Sequence, residues 1–135
     1  MKKNVAFLFL MTIFLAACAG TNSVSLKDTS WALVSYGAID NPSPALPDVE
    51  TVITFNSDGN LNGNVGCNSF FGAYKLSGDA LEVGPLAATE MYCENTMEQE
   101  MAVLTIFNGT LSFEQNGDTL SFFSADGTQT IQLRK

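Results

Sequence analysis

No histidine occurs anywhere in this chain. That absence removes the commonest general base, the usual activator of serine or cysteine nucleophiles and the usual zinc ligand together. No Ser-His-Asp set can be built, and no glycine-rich phosphate loop is present. Positive charge is scarce as well: six Lys and Arg stand against fourteen Asp and Glu. Phosphates would repel such a chain, which argues against nucleic acid as a partner. Electrostatic docking on anionic lipid is disfavoured for the same reason. Cysteine is limited to Cys18, Cys67 and Cys93, and three of the four prolines fall within residues 41–47.

The one long apolar run is short for a membrane span. It extends from Val5 to Leu15, behind the cationic start Met1-Lys2-Lys3. Eleven helical residues rise about 16 Å, against the roughly 30 Å of hydrocarbon a spanning helix must cross. A basic end, a short apolar core and small residues after it make a signal peptide over residues 1–17. The sequence that follows, Leu15-Ala16-Ala17-Cys18, resembles the lipobox of bacterial lipoproteins. That resemblance implies cleavage before Cys18 and acylation of the cysteine. An ordinary signal peptide with a chance cysteine is the plainer alternative, and the small residues and polar stretch around Cys18 weigh against it. Two or more acyl chains give stable membrane anchoring where one does not. Ala19 follows the cysteine, and the lack of Asp there resembles the signal for the outer membrane in two-membrane bacteria. The expected location is therefore the cell envelope, lipid-anchored, facing the periplasm if the source has two membranes.

Removing residues 1–17 from the 135-residue chain leaves 118, one domain's worth. With Cys18 committed to lipid, Cys67 and Cys93 remain as an even pair in an oxidising compartment. They read as one disulfide, closing a loop of about 27 residues. A reactive thiol would need a base or cationic neighbour, and the flanking residues supply none.

Residues 18–29 read as the lipidated N-terminus and a tether, and the domain is expected over 30–135. Period-2 alternation starts at Trp31, with Trp31, Leu33 and Ser35 on one face and Ala32, Val34 and Tyr36 on the other. The proline-rich stretch 41–47 must be a loop. Residues 51–65 read as a β-hairpin around Ser57-Asp58-Gly59-Asn60. Phe70, Tyr74 and Leu76 share a face of the next strand, and Leu81 and Val83 follow a turn. Pro85 to Met91 reads as an edge or irregular strand. Asn95 or Thr96 is expected to cap the one helix, near 95–108, with Glu98 and Glu100 in its first turns and Asn108-Gly109 at its end. Met97, Met101 and Leu104, widened by Phe107, are its expected apolar stripe. Three strands (110–115, 119–124, 128–134) complete the pattern of an antiparallel sandwich or barrel.

Trp31-x-Leu33, Gly66-Cys67-Asn68-x-Phe70-x-Gly72-x-Tyr74, and Thr89-x-Met91-x-Cys93 followed by Glu100 resemble the META domain of HslJ-like bacterial lipoproteins. The resemblance covers roughly 30–135. It implies a mainly β fold: a small antiparallel, lipocalin-like ("cracked") β-barrel of 7–8 strands with one α-helix. It also implies an association with heat or antibiotic stress through no established reaction. The motif residues read as architecture, so no catalytic residue, cofactor or metal is assigned and the protein is not expected to be an enzyme.

Sharper readings weigh less. Asn56, Asp58, Asn60 and Asn62 space oxygens as a calcium loop does, but lack the closing bidentate Glu, and Asp58-Gly59 suffices as a turn. Glu90, Glu94, Glu98 and Glu100 could attract a cation, although Glu94 and Glu98 at i, i+4 read better as a solvated helix face. Paired carboxylates can hydrolyse glycosides, yet nothing sets two apart from the turn acids Asp79, Asp118 and Asp126. Phe113, Phe122 and Phe123 could line a ligand cavity, with a filled core the plainer use. Two functions remain: an envelope-integrity module acting on a protein partner, as a chaperone or enzyme inhibitor would, and a barrel binding a lipid or other hydrophobic ligand.

Overall fold

A computed structural model describes residues 25–135. The signal peptide, Cys18 and the start of the tether lie outside the described residues. The described remainder of the tether is part of the domain: Leu26 is fully buried and the first strand begins at Thr29.

In chain order the elements are β1 Thr29–Ala38, β2 Ser43–Pro44, β3 Val52–Phe55, β4 Asn60–Asn64, β5 Ser69–Ser77, β6 Ala80–Val83, β7 Ala87–Ala88, α1 Met97–Phe107, β8 Gly109–Asn116, β9 Thr119–Ser124 and β10 Gln129–Arg134. Eight of the strands close an antiparallel barrel in the order β1-β3-β4-β5-β6-β8-β9-β10, and β10 pairs back onto β1. Closure removes the free edges that would otherwise invite pairing with other chains. Two strands turn the corners. β1 pairs with β3 through Thr29–Trp31 and with β10 from Ala32 onward. β5 pairs with β4 through Ser69–Ala73 and with β6 from Tyr74.

Period-2 alternation carries one face of each strand inward. Ile53 and Phe55 on β3, Leu81 on β6, Leu120 and Phe122 on β9, and Ile131 and Leu133 on β10 are all fully buried. The expected alternation of β1 holds only through Leu33. The register with β10 shifts between Leu33 and Ser35, so Val34 is an extra residue and the strand bends. The hairpin predicted over 51–65 is present, with β3 and β4 in register from Val52–Asn64 to Phe55–Leu61. The proline-rich stretch is a loop except where Ser43 and Pro44 bridge to Tyr36 and Ser35 of β1.

Helix α1 covers the end of the barrel where β4 passes into β5 and β9 into β10. Its last residue enters the interior: the Phe107 ring lies 5.3 Å from Phe122 and 6.2 Å from Phe55, centroid to centroid. Tyr74 meets Phe55 edge-on at 5.2 Å, and Phe113 lies 6.0 Å from Phe122. An eight-stranded barrel is narrow enough to be filled by side chains, and these aromatics fill this one. Phe113 and Phe122 are therefore core residues, while Phe123 is only partly buried.

The helix is not rotated as its apolar pattern suggests. Met101 is 63% exposed, and the buried stripe is Gln99, Glu100, Val103 and Phe107. Thr96 occupies the N-cap position without making a side-chain cap bond. Instead, the Thr96 and Met97 N–H groups both donate to the Cys93 carbonyl.

Candidate functional site

Seven of the residues that carry the family resemblance, Gly66, Cys67, Asn68, Thr89, Met91, Cys93 and Glu100, converge at the covered end of the barrel. Between β4 and β5 the chain bends through Val65–Asn68 and presents backbone N–H groups that the barrel ladder leaves without partners. Glu100, projecting from the buried face of α1, accepts them. Its Oε2 takes hydrogen bonds from the Cys67 N–H (2.7 Å) and the Asn68 N–H (2.6 Å), and its Oε1 takes one from Asn68 Nδ2 (2.7 Å). Glu100 is 4% exposed and Asn68 2%.

Asn68 passes the connection on. Its Nδ2 also donates to the Met91 carbonyl (3.0 Å), and its Oδ1 accepts from the Met91 N–H and the Thr89 hydroxyl (2.8 Å each). The side chain thus mimics a strand partner and holds the segment after β7 against the start of β5. Two amide donors and two carboxamide acceptor positions are all used, as burial requires. The Cys67–Cys93 disulfide, with Cα atoms 5.9 Å apart, ties the same bend to the chain just before the helix.

Gln99 makes a second bridge. Its Nε2 donates to the Val65 carbonyl (2.6 Å) and its Oε1 accepts from the Leu46 N–H (2.8 Å). One buried side chain therefore locks the proline-rich loop and the Gly66 bend to the same helix.

Gly66 stands where nothing larger fits. A Cβ there would lie 2.8 Å from Glu100 Cβ and 3.0 Å from the Thr96 carbonyl oxygen. Gly66→Ala is expected to push α1 off the bend and cost about 1–3 kcal/mol, as overpacking does. A fall in the urea midpoint with an unchanged slope checks this; an unchanged midpoint refutes it.

Of the four glutamates read as one acidic cluster, Glu90, Glu94 and Glu98 are exposed while Glu100 turns inward, so they form no common site. Among the described residues no group of three His, Cys, Asp or Glu stands close enough to hold a metal. The alternating Asn and Asp oxygens of the β3–β4 turn serve the hairpin. Asn56 Nδ2 donates to Asn62 Oδ1 (2.8 Å), and Asp58 Oδ1 accepts from the Asn60 N–H (3.0 Å). The network around Glu100 escapes a reading of the sequence alone, although Cys67, Asn68, Thr89, Met91 and Glu100 all belong to the family motifs. Its one signal is polar Gln99-Glu100 placed a helical turn before Val103, with Phe107 a turn further.

The barrel is shared with solved structures. An NMR structure of a protein from Burkholderia xenovorans is 23% identical with a TM-score of 0.67, covering 82% of this chain and 83% of that one. A second NMR structure is 22% identical with a TM-score of 0.64, covering 82% and 94%. A crystal structure of a DUF4847 family protein from Bacteroides vulgatus is 15% identical with a TM-score of 0.59, covering 81% and 93%. At these identities the likeness establishes the fold alone. No relative was found among the curated proteins. The META domain family matches residues 24–135, a span that takes in the whole barrel, the helix and the clamp, and the chain belongs to that family.

Proposed function

We propose that this protein is a non-catalytic, lipid-anchored module of the cell envelope that acts by contact with another envelope protein. The observation that carries the reading is the bridge made by Gln99. It brings together the proline-rich loop and the Gly66 bend, two loops far apart in sequence, and holds both rigid. Loops fixed on a rigid scaffold are where binding surfaces concentrate. Between them runs a groove of about 1180 Å³ whose lining includes Leu46, Val49, Val52 and Thr96. Val52 is 42% exposed there, and beyond it Phe71, Met91 and Tyr92 expose 63%, 56% and 80% of their surface. The lipobox-like Leu15–Cys18 supports the anchor. A role in stress tolerance rests on the family resemblance. The hydrophobic-ligand reading loses most of its motive, because Phe113 and Phe122, two of the three aromatics that suggested a cavity, pack into the barrel core.

Short-range crosslinking of the full-length protein in its own membrane, followed by affinity capture, tests this. One enriched envelope protein, crosslinked through the groove and lost in Val52→Asp at unchanged Tm, is the expected result. An empty capture overturns the proposal.

A further inference from the structure

Successive strands of the barrel run in opposite directions, so its connections fall at two ends. The chain enters at the end opposite the helix. Leu26 is fully buried there, and the Thr29 hydroxyl donates to its carbonyl. Asp28 Oδ1 accepts from the Ser57 N–H (3.0 Å), which ties the entry to the β3–β4 turn. The β5–β6 and β8–β9 turns share this end, as does Lys135, whose N–H donates to the Asp118 carbonyl (3.0 Å). The proline-rich loop, the Gly66 bend, α1 and the β9–β10 turn share the other end.

Charge is divided between the two ends. Among the described residues, the connections at the helix end (39–51, 65–68, 84–108 and 125–128) contain no Lys or Arg. They expose Asp40, Asp48, Glu50, Glu90, Glu94 and Glu98, and Asp126 adds to them from the β9–β10 turn. At the entry end Lys27, Arg134 and Lys135 nearly offset Asp28, Asp58, Asp79 and Asp118. On the barrel wall Lys75 stands opposite Glu82 in the β5–β6 register.

The tether joins the nearly neutral end. From Cys18 to Leu26 is 26 − 18 = 8 residues. Such a chain reaches about 28 Å fully extended and about 15 Å relaxed. The ten residues of β1 run about 33 Å, or about 25 Å of barrel height at the usual strand tilt. Turning the helix end to the bilayer would therefore stretch the tether along nearly the whole barrel. It would also bring the acidic surface within a Debye length, about 8–10 Å, of anionic headgroups.

We infer that the barrel stands on the membrane by its entry end, with the β3–β4, β5–β6 and β8–β9 turns over the lipid headgroups and the helix end pointing away. This orientation rests on the lipid anchor proposed above. The groove between the proline-rich loop and the Gly66 bend then opens away from the bilayer.

The test places the full-length acylated protein in nanodiscs of phosphatidylethanolamine and phosphatidylglycerol that hold a gadolinium-chelate headgroup lipid. The amide signals of Gly59, Gly78 and Gly117 are expected to be lost to paramagnetic broadening, while those of Glu94 and Gly127 survive. Phosphatidylcholine nanodiscs should narrow that contrast without reversing it, because the entry point remains and the lipid charge does not. Loss of Glu94 and Gly127 together with the three turns, or before them, would overturn the orientation. A contrast unchanged in phosphatidylcholine would overturn the part assigned to charge. Mass spectrometry of the protein from its own membrane separates the two readings. An unacylated Cys18 removes the anchor and the orientation with it, whereas an acylated protein with uniform broadening removes the orientation alone.

Discussion

Replacing Glu100 with alanine is expected to lower the stability of the domain by about 4 kcal/mol. The carboxylate is the acceptor for three N–H groups, the Cys67 backbone donor partly buried and the Asn68 backbone and side-chain donors buried. Removing it strands the two Asn68 donors in a site where protein, and not water, surrounds them. A stranded buried donor costs about 1–3 kcal/mol, more than the bond itself contributes. Glu100→Gln should cost less, about 2 kcal/mol, because its carbonyl can still serve both backbone donors. Its amide then faces Asn68 Nδ2, donor against donor. Asn68 cannot flip to relieve this without giving up the Thr89 and Met91 bonds to Oδ1. Equilibrium urea unfolding of the two variants reads the order directly. A cost below about 1 kcal/mol for the alanine variant would show that water replaces the carboxylate and that the clamp is unimportant. A double-mutant cycle with Asn68→Ala should be far from additive, because the two side chains share one network.

Loss of the Cys67–Cys93 bond is the second large effect. The cysteines are 26 residues apart in sequence. In the chain-entropy account a loop of that length restrains the unfolded chain by about 3.5 kcal/mol. For a domain of this size that corresponds to a fall in Tm of roughly 15 °C on reduction or in the Cys67→Ser/Cys93→Ser variant. The reduced protein should still fold at room temperature. The Cys67 N–H remains bound to Glu100, and Asn68 still holds Met91, so the bend keeps its place without the sulfurs. Calorimetry of oxidised and reduced protein tests this, and a shift of a few degrees would mean that the unfolded chain gains little freedom. Reducing the disulfide in Glu100→Ala should cost more than the two effects added separately, since both devices pin one bend.

Much of the barrel is legible in the order of the residues. Ile53 and Phe55, Phe70 and Tyr74, and Leu81 and Val83 alternate as strands with one buried face do, and each pair is buried. The turns at Asp58-Gly59, Asn116-Gly117-Asp118 and Asp126-Gly127 stand where β3–β4, β8–β9 and β9–β10 are joined. Gly59, Gly117 and Gly127 all take positive φ there, a conformation that favours glycine. The helix is found within two residues of each expected end. Its rotation is not legible. Apolar spacing favours Met97, Met101 and Leu104 as the inner stripe, yet Gln99 and Glu100 face inward. Their partners lie more than 30 residues away in the chain, at Val65, Cys67 and Asn68. A helical pattern records which residues are apolar, and it cannot register that a distant bend brings unpaired N–H groups to one face. The bulge at Val34 is hidden in the same way, because it exists only relative to β10.

What this sequence determines by itself is local: strand alternation, the turns and their glycines, and one helix. Those features follow from backbone geometry and side-chain period, which act over a few residues. Only the tertiary structure decides that β10 closes on β1, that the interior is filled by Phe55, Phe107 and Phe122, and that Glu100 holds the Cys67 bend. It also decides that the proline-rich loop and that bend share one end of the barrel. These outcomes require groups distant in the chain to meet, and hydrogen-bond satisfaction and packing in the closed barrel, not local propensity, select them.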